Sequence, residues 1–361
     1  MIAQCHRRMS WCLLALLLIT SAVGLAQQAS GTASPNEQSR SITLDVVVTD
    51  KAGTPQRGLQ QQEFTLLDNK QRRELTSFRA VDVEARTPAP YIEVVLVIDA
   101  INADLFHATM EREGIKNFLQ SNGGKLAQPV SLVLVSDNPT QMRSKPSTDG
   151  NALAAQLDQY ETGLRTINRS QGIYGVAERF QMSMQALTSL ADYEAARSGR
   201  KLVLWISPGW PLLQGVATDI TVQDQRHIFQ SIVALSTRLR QDHIALYNVE
   251  TRGLAGTSLS QFFNYQEFVK GVKSVDEAYP PTLSLQVLAV QTGGLVLNRS
   301  NDLPSAIAAE IAKSAADAGV FYVLSFAADR ADRADEYHSL EVKVAKPGLI
   351  ARTRTGYYAQ P

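Results

Sequence analysis

The strongest constraint on the fold is a set of four largely apolar runs in the middle of the sequence, at residues 94–98, 130–135, 202–206 and 244–249. Runs of this kind are typical of central strands covered on both faces. Between and after them lie amphipathic stretches at 177–190, 225–239 and 303–318. In the last of these, Ile307, Ile311 and Ala315 are four residues apart, as one helix face requires. Alternating strands and helices predict a mostly parallel sheet with helices on both faces.

The two ends of the chain show a different pattern. Ile42, Leu44, Val46 and Val48 alternate with more polar residues, which predicts a half-buried strand. Short strands are expected at 64–67 and 75–81, and again at 321–326, 340–344 and 350–358. We therefore expect a small β-sandwich-like domain formed from both chain ends. The predicted parts are an N-terminal β segment at 41–81, a linker at 82–90, an α/β domain at 91–319, and C-terminal β strands at 320–361 that pack with the first segment.

The first 26 residues have the pattern of an export signal. A basic start is followed by an apolar run and by small residues at Gly24 and Ala26, which predicts cleavage after Ala26. The alternative is an uncleaved N-terminal anchor. Both cysteines, Cys5 and Cys12, lie in this segment, and residues 27–40 are expected to be a flexible leader. We expect a secreted or periplasmic protein without a transmembrane segment after cleavage.

Composition excludes several functional classes. The chain is 44% hydrophobic and 19% charged, which is not the composition of a disordered protein. Its 35 basic and 35 acidic residues give a formal net charge of zero. Nucleic-acid binding is therefore not expected, because phosphate neutralisation needs a basic excess.

Several segments together resemble one protein family. They are the strand ending in Asp99 and the sequences DVVVTD at 45–50, GRKLVLWISPGWP at 199–211 and ALYNVETRGL at 245–254. In this order they resemble the von Willebrand factor A (VWA)-related proteins known mostly from acidobacteria, over about residues 41–359. The resemblance implies a Rossmann-like VWA domain and an export route, but no common activity.

Many VWA domains hold a divalent cation at the carboxyl ends of their strands, in a site called MIDAS. Its ligands come from an Asp-x-Ser-x-Ser loop, a Thr of a second loop and an Asp of a third. Here Asp99 is retained, whereas Ile101 and Ala103 replace the serines and Pro208 replaces the third-loop aspartate. Ser170 is the best second-loop candidate and Thr148 a poorer one. We expect a degenerate, metal-free site without cofactor, and a structural role for Asp99 as an acceptor for loop N–H groups or a helix cap.

The leading functional hypothesis is a protein-interaction module of adhesion or scaffold type. Its predicted partner-binding loops, at residues 99–107, 168–175 and 207–216, contain Asp99, Asn102, Ser170, Ser207 and Trp210. Trp205 is expected in the core, while Trp210 is either an exposed anchor or folded back over the sheet edge.

The sequence leaves two alternatives open. One is an envelope hydrolase with an unrecognised site, which uses Ser207 or an undetected pair of acids, although no base for Ser207 is recognisable in the sequence. The other is a nonstandard Mg²⁺ site formed by Asp99, Asn102 and Ser170. The histidines His107, His227, His243 and His338 lack zinc-ligand spacing, and His338 is expected to be half exposed on a strand. Gly293 and Gly294 predict a tight turn before a short strand.

Overall fold

A computed structural model describes residues 41–83, 91–136, 144–159, 172–210, 220–251, 265–297 and 303–361. The predicted signal (1–26), the leader (27–40), residues 84–90 of the linker and Ser170 lie outside these residues. Within the described ranges the strands are β1 (Ser41–Thr49), β2 (Phe64–Asp68), β3 (Gln71–Arg73), β4 (Ser77–Asp82), β5 (Ile92–Asp99), β6 (Lys125–Val135), β7 (Ser147–Asp149), β8 (Arg200–Ser207), β9 (Ile244–Glu250), β10 (Val296–Leu297), β11 (Val320–Ala327), β12 (Glu336–Val344), β13 (Ile350–Arg352) and β14 (Gly356–Ala359). The α-helices are α1 (Leu105–Gln120), α2 (Gly150–Gln159), α3 (Gly172–Ala195), α4 (Val222–Gln241), α5 (Leu285–Gln291) and α6 (Leu303–Ala316).

Six strands form the central sheet, in the order β10-β9-β8-β5-β6-β7. All neighbouring strands in it run parallel except the edge pair β6 and β7. The four apolar runs supply β5, β6, β8 and β9, so the predicted mixed α/β fold with a parallel central sheet is confirmed. The carboxyl ends of β5 and β8 lie side by side at one edge of this sheet.

Both faces of the central sheet are covered by helices. Val94, Leu96 and Ile98 of β5 belong to an apolar cluster with residues of α1, α2 and α6. Val95 and Val97 point to the other face, where they belong to a second cluster with residues of α3, α4 and α5. All eight residues of β5 are buried, which explains why residues 94–98 form an unbroken apolar run instead of alternating.

Strands from the two chain ends form two further four-stranded sheets, in the orders β13-β1-β11-β4 and β14-β12-β2-β3. β1 pairs antiparallel with β11, with Ser41 opposite Ala327. A third apolar cluster contains residues of both sheets, among them Leu44, Leu66 and Leu340. The alternating pattern of β1 reflects this packing, since Leu44 and Val46 are fully buried.

The structure differs from the sequence predictions at several places. The expected single strand at 350–358 is two strands, because β13 pairs with β1 whereas β14 pairs with β12 in the other sheet. His338 was expected to be half exposed, and that was wrong: it is 6% exposed. Its Nδ1 lies 2.9 Å from Asp68 Oδ1, and the Tyr357 hydroxyl donates to Asp68 Oδ2 at 3.1 Å. A buried polar residue of this kind is tolerated because it has hydrogen-bond partners.

Candidate functional site

The candidate site lies at the carboxyl edge of the central sheet. Asp99 is the last residue of β5 and Ser207 the last residue of β8. The two strands are adjacent and parallel, with Ile98 opposite Ile206. Asn102 lies in the loop that follows β5. The topology therefore brings together three of the five predicted site residues.

The carboxylate of Asp99 is fully buried and accepts five hydrogen bonds. Oδ1 accepts from the backbone N–H groups of Ile101 and Asn102, both at 3.0 Å. Oδ2 accepts from Asn102 Nδ2 at 2.8 Å, from the Trp205 indole N–H at 2.9 Å and from the Ser207 hydroxyl at 2.9 Å. A carboxylate has about four lone-pair positions, so these donors use all of its acceptor capacity. The donors from the loop N–H groups were expected from the sequence, whereas the donor from the Trp205 indole was not.

This arrangement does not fit a MIDAS cation. Mg²⁺ needs several oxygen lone pairs in near-octahedral geometry, and those of Asp99 are taken by protein donors. Asn102 Oδ1 is buried without a hydrogen-bond partner among the described residues, so it is one available oxygen. The described residues contain no group of three or more His, Cys, Asp or Glu side chains placed to hold a metal ion. Thr148, the poorer second-loop candidate, is exposed on the edge strand β7.

Ser207 is also fully buried. Its hydroxyl donates to Asp99 and accepts the N–H of Gly209 at 3.1 Å. In the described part of the chain no histidine contacts this hydroxyl. A nucleophilic serine needs a base with a free acceptor within hydrogen-bond reach, and the lone pairs of the Asp99 carboxylate are already taken by five donors. The hydrogen bond from Ser207 to Asp99 connects the carboxyl ends of β8 and β5.

Trp210 is folded back against the sheet edge, as one of its two sequence interpretations proposed. It is 2% exposed, and its ring packs edge-to-face on that of Trp205 with centroids 5.3 Å apart. Trp205 itself is fully buried. Because Trp210 is buried, the interpretation of an exposed aromatic anchor at this position was wrong. Trp210 thus packs on the indole that donates to the Asp99 carboxylate.

A second buried acid lies at the same edge and was missed by sequence analysis. Glu111 of α1 is fully buried, and its Oε1 accepts from the Thr251 hydroxyl at 2.7 Å just after β9. Burial raises the pKa of Glu111 well above its ordinary value, and the charges of Asp99 and Glu250 raise it further against the hydrogen bond from Thr251. Its Oε2 has no partner among the described residues. Only a position opposite the end of β9 distinguishes Glu111 from Glu113, the exposed acid of the same helix.

Replacement of Glu111 by glutamine is expected to stabilise the protein at alkaline pH. The pKa of Glu111 is higher in the folded than in the unfolded protein. The contribution of Glu111 to the stability of the folded state is therefore fully present below pH 4.5, its ordinary pKa, and is lost as the pH rises through the folded-state pKa. Glutamine keeps an acceptor for Thr251 and does not titrate. The melting temperature of the variant should be higher than that of the wild type at about pH 8. The difference between the two melting temperatures should shrink as the pH is lowered to about 4. Glu113→Gln changes an exposed residue of the same helix and should melt with the wild type at every pH. If the melting temperature of Glu111→Gln runs parallel to that of the wild type over the whole pH range, the pKa of Glu111 is not raised.

Exposed apolar side chains also occur at this edge. Asp104 caps α1 by accepting the N–H of His107 at 2.8 Å. The two residues that follow the cap, Leu105 and Phe106, are 60% and 58% exposed. We call Leu105 and Phe106 the apolar step. It lies within the loop region predicted from the sequence to contact a partner, although neither residue was singled out there.

No protein-family model matches the sequence, and no curated protein matches it. Among solved structures, the chain is similar to an aerotolerance-related membrane protein from Bacteroides fragilis, with 10% identity and a TM-score of 0.34, over 62% of this chain and 98% of that one. It is similar to the pilus adhesin SpaC from Lactobacillus rhamnosus, with 10% identity and a TM-score of 0.38, over 86% of this chain and 49% of that one. It is also similar to the manganese-loaded TRAP protein of Plasmodium vivax, with 9% identity and a TM-score of 0.32, over 78% of this chain and 98% of that one. Similarity at this level leaves function to be argued from the residues.

None of the helices in the described part of the chain has the length and apolar character needed to cross a membrane.

Proposed function

We propose that this chain is an exported, VWA-type protein-interaction module that works without a metal ion. The observation that carries the proposal is the Asp99 carboxylate, whose lone pairs are occupied by five protein donors. In a metal-dependent module the cation offers an open coordination position to the partner. Here the same edge is closed by protein hydrogen bonds, so recognition rests on side chains.

The partner is a protein that offers an apolar pocket to the apolar step. Leu105 and Phe106 are adjacent, exposed and fixed on the first turn of a capped helix. Large apolar side chains held on a rigid element are typical anchors of protein interfaces, where a few residues supply most of the binding free energy. This assignment replaces the buried Trp210 as the anchor at this edge.

The export signal at 1–26 and the placement outside the cytoplasm are part of the same proposal. They are supported by the basic, apolar and small-residue pattern that ends at Ala26. We also propose that the two outer sheets act as one β-sandwich-like domain that supports the α/β domain. The apolar cluster shared by both sheets supports this division.

The proposal is tested by site-specific cross-linking of the exported protein in its native envelope. A photoreactive residue at position 106 is expected to capture a discrete partner in the presence of EDTA. Leu105→Asp in the same protein should abolish the capture, because a charge in an apolar contact costs about 2 kcal/mol or more. A loss of this size lowers affinity at least about 30-fold.

Ile350 provides the matched control. It is 53% exposed on β13, in a sheet that does not contain the site. A photoreactive residue at position 350 should not capture the same partner, and Ile350→Asp should leave capture at position 106 unchanged. Equal capture at both positions, capture that survives Leu105→Asp, or capture that needs Mg²⁺ would overturn the proposed function.

A further inference from the structure

A small cavity lies at the opposite, amino edge of the central sheet. It is enclosed by β1, the start of β8, the turn between α4 and β9, and the turn after α5. Its polar lining is formed by Asp45, Arg200, Arg240, His243, Thr292 and Arg354. The cavity volume is about 20 Å³, which suits one particle of about the size of a water molecule.

Positive charge exceeds negative charge around this cavity. Three arginines line it, whereas Asp45 is the one carboxylate among its lining residues. The neighbouring Asp317 is already engaged, because its Oδ2 accepts from Arg352 Nη2 at 2.6 Å and from the Tyr247 hydroxyl at 2.8 Å. Asp45 is therefore the one carboxylate among the lining residues, against the three guanidinium groups that line the same cavity. Buried charges without counter-charges are costly, so such an excess calls for an anion.

Two of the arginines have N–H groups without an acceptor in the described part of the chain. Arg200 is 4% exposed and its Nε is unpaired, lying 3.9 Å from Asp45 Oδ2. Its position is fixed by a hydrogen bond from Nη1 to the carbonyl of Asp317 at 2.6 Å and by the Phe321 ring, 4.4 Å from its guanidinium carbon. Arg240 Nε is also buried and unpaired. Neither N–H group has a hydrogen-bond acceptor among the described residues, although Arg200 Nε forms a long ion pair with Asp45.

The electrostatics agree with this geometry. Burial and, to a lesser extent, the charge of Arg240 lower the pKa of Arg354 to about 9 against the attraction of Asp45. A guanidinium group does not give up its proton in proteins, so the lowered pKa indicates that the buried charge of Arg354 and its repulsion by Arg240 are both costs to the folded protein. Asp45 is also approached by His243, whose Nδ1 lies 3.2 Å from Oδ2. His243 has a left-handed backbone with φ of 53°, a conformation that a non-glycine residue adopts only when its surroundings hold it there.

We propose that this cavity binds one chloride-sized monovalent anion, held by Arg200, Arg240 and Arg354. The anion accepts the unpaired N–H groups and neutralises part of the charge excess. The cavity volume excludes a tetrahedral oxyanion, which occupies several times the volume of one water molecule. The proposed function concerns the other edge of the sheet, so the two proposals are independent.

Thermal melting of the full chain in sodium chloride and in sodium gluconate, at equal ionic strength, tests the site. Chloride is expected to raise the melting temperature by about 2 °C for each tenfold increase in its concentration above its dissociation constant. Sodium sulfate stabilises proteins by exclusion from their surface, so it should raise the melting temperatures of the wild type and of Arg240→Gln equally. Crystals grown with sodium bromide should show an anomalous peak within hydrogen-bond distance of Arg200 Nε.

Arg240→Gln is the informative variant, because Arg240 is only half buried at the end of α4 and its loss leaves the strands intact. In gluconate the variant should melt above the wild type, since its repulsion with Arg354 is removed. Its response to chloride should be lost. Arg226→Gln, exposed on the same helix, should keep the wild-type response. Equal melting of the wild type in chloride and gluconate, an undiminished response to chloride in Arg240→Gln, a response to sulfate that Arg240→Gln abolishes, or no bromide peak would each overturn the proposal.

Discussion

Replacement of Asp99 by alanine is expected to destabilise the protein by at least about 3 kcal/mol, the largest effect of any single side chain at the candidate site. The change leaves five donors without their acceptor, among them the Trp205 indole and the Ser207 hydroxyl. Each buried polar group that loses its partner costs about 1–3 kcal/mol, and relaxation of the loop recovers part of the sum. Urea unfolding monitored by tryptophan fluorescence measures the change directly.

Asp158→Ala is the control for this measurement. Asp158 is an exposed carboxylate that forms surface ion pairs with Arg112 and Lys116. Such pairs contribute about 0–1 kcal/mol, so this variant should unfold close to the wild type. A loss at Asp99 no larger than that at Asp158 would show that the carboxylate does not organise the edge. Wild-type stability that falls on addition of EDTA would indicate a cation there instead.

Gly294→Ala is expected to cost about 3 kcal/mol or more, because backbone and not a flexible side chain fills the space beside Gly294. A Cβ at this position would overlap the carbonyl oxygen of Leu246 on β9. The close approach is fixed on both sides: Gly294 N–H donates to Ala289 O and Asn248 N–H donates to Leu295 O, both at 2.9 Å. The variant should unfold at lower urea concentration and at lower temperature.

Gly319→Ala is the matched control for Gly294→Ala. A Cβ on Gly319 would meet its nearest neighbour, the carbonyl oxygen of Ala316, at 3.4 Å, which is an ordinary contact. Its φ lies outside the left-handed region that favours glycine. A stability change at Gly294 that matches the one at Gly319 would mean that β9 and the turn move apart easily.

The central sheet could be predicted because burial on both faces leaves a direct trace in the sequence. Strands β5 and β8 are buried at every residue, so their apolar runs are unbroken. The first half of β6 escaped prediction because Lys125 and Ala127 are exposed and Pro129 interrupts the pattern. Helix α1 was not predicted because Glu111 and Gly114 lie on its buried face, where an amphipathic helix is expected to carry large apolar residues.

The candidate site was predictable in position but not in chemistry. The end of an apolar strand marks Asp99, and the loop after β8 marks Ser207. What occupies the carboxylate depends on the pairing of β8 with β5, which places the Trp205 indole beside Asp99. Nothing local to Trp205 distinguishes this hydrogen-bonded indole from an ordinary core tryptophan. The basic cavity depends in the same way on residues that are remote in sequence, such as Asp45, Arg200 and Arg354.

The pairing of β1 with β11 also has a consequence for how the chain matures. Thr43 on β1 meets its hydrogen-bond partner Ser325 across 282 positions of sequence, so the ribosome must add all of the intervening residues before β1 can pair with β11. Until then β1 offers an open strand edge to any other extended segment. Closure of so long a loop is slow, so this edge of β1 stays open to pairing with other chains while the loop closes.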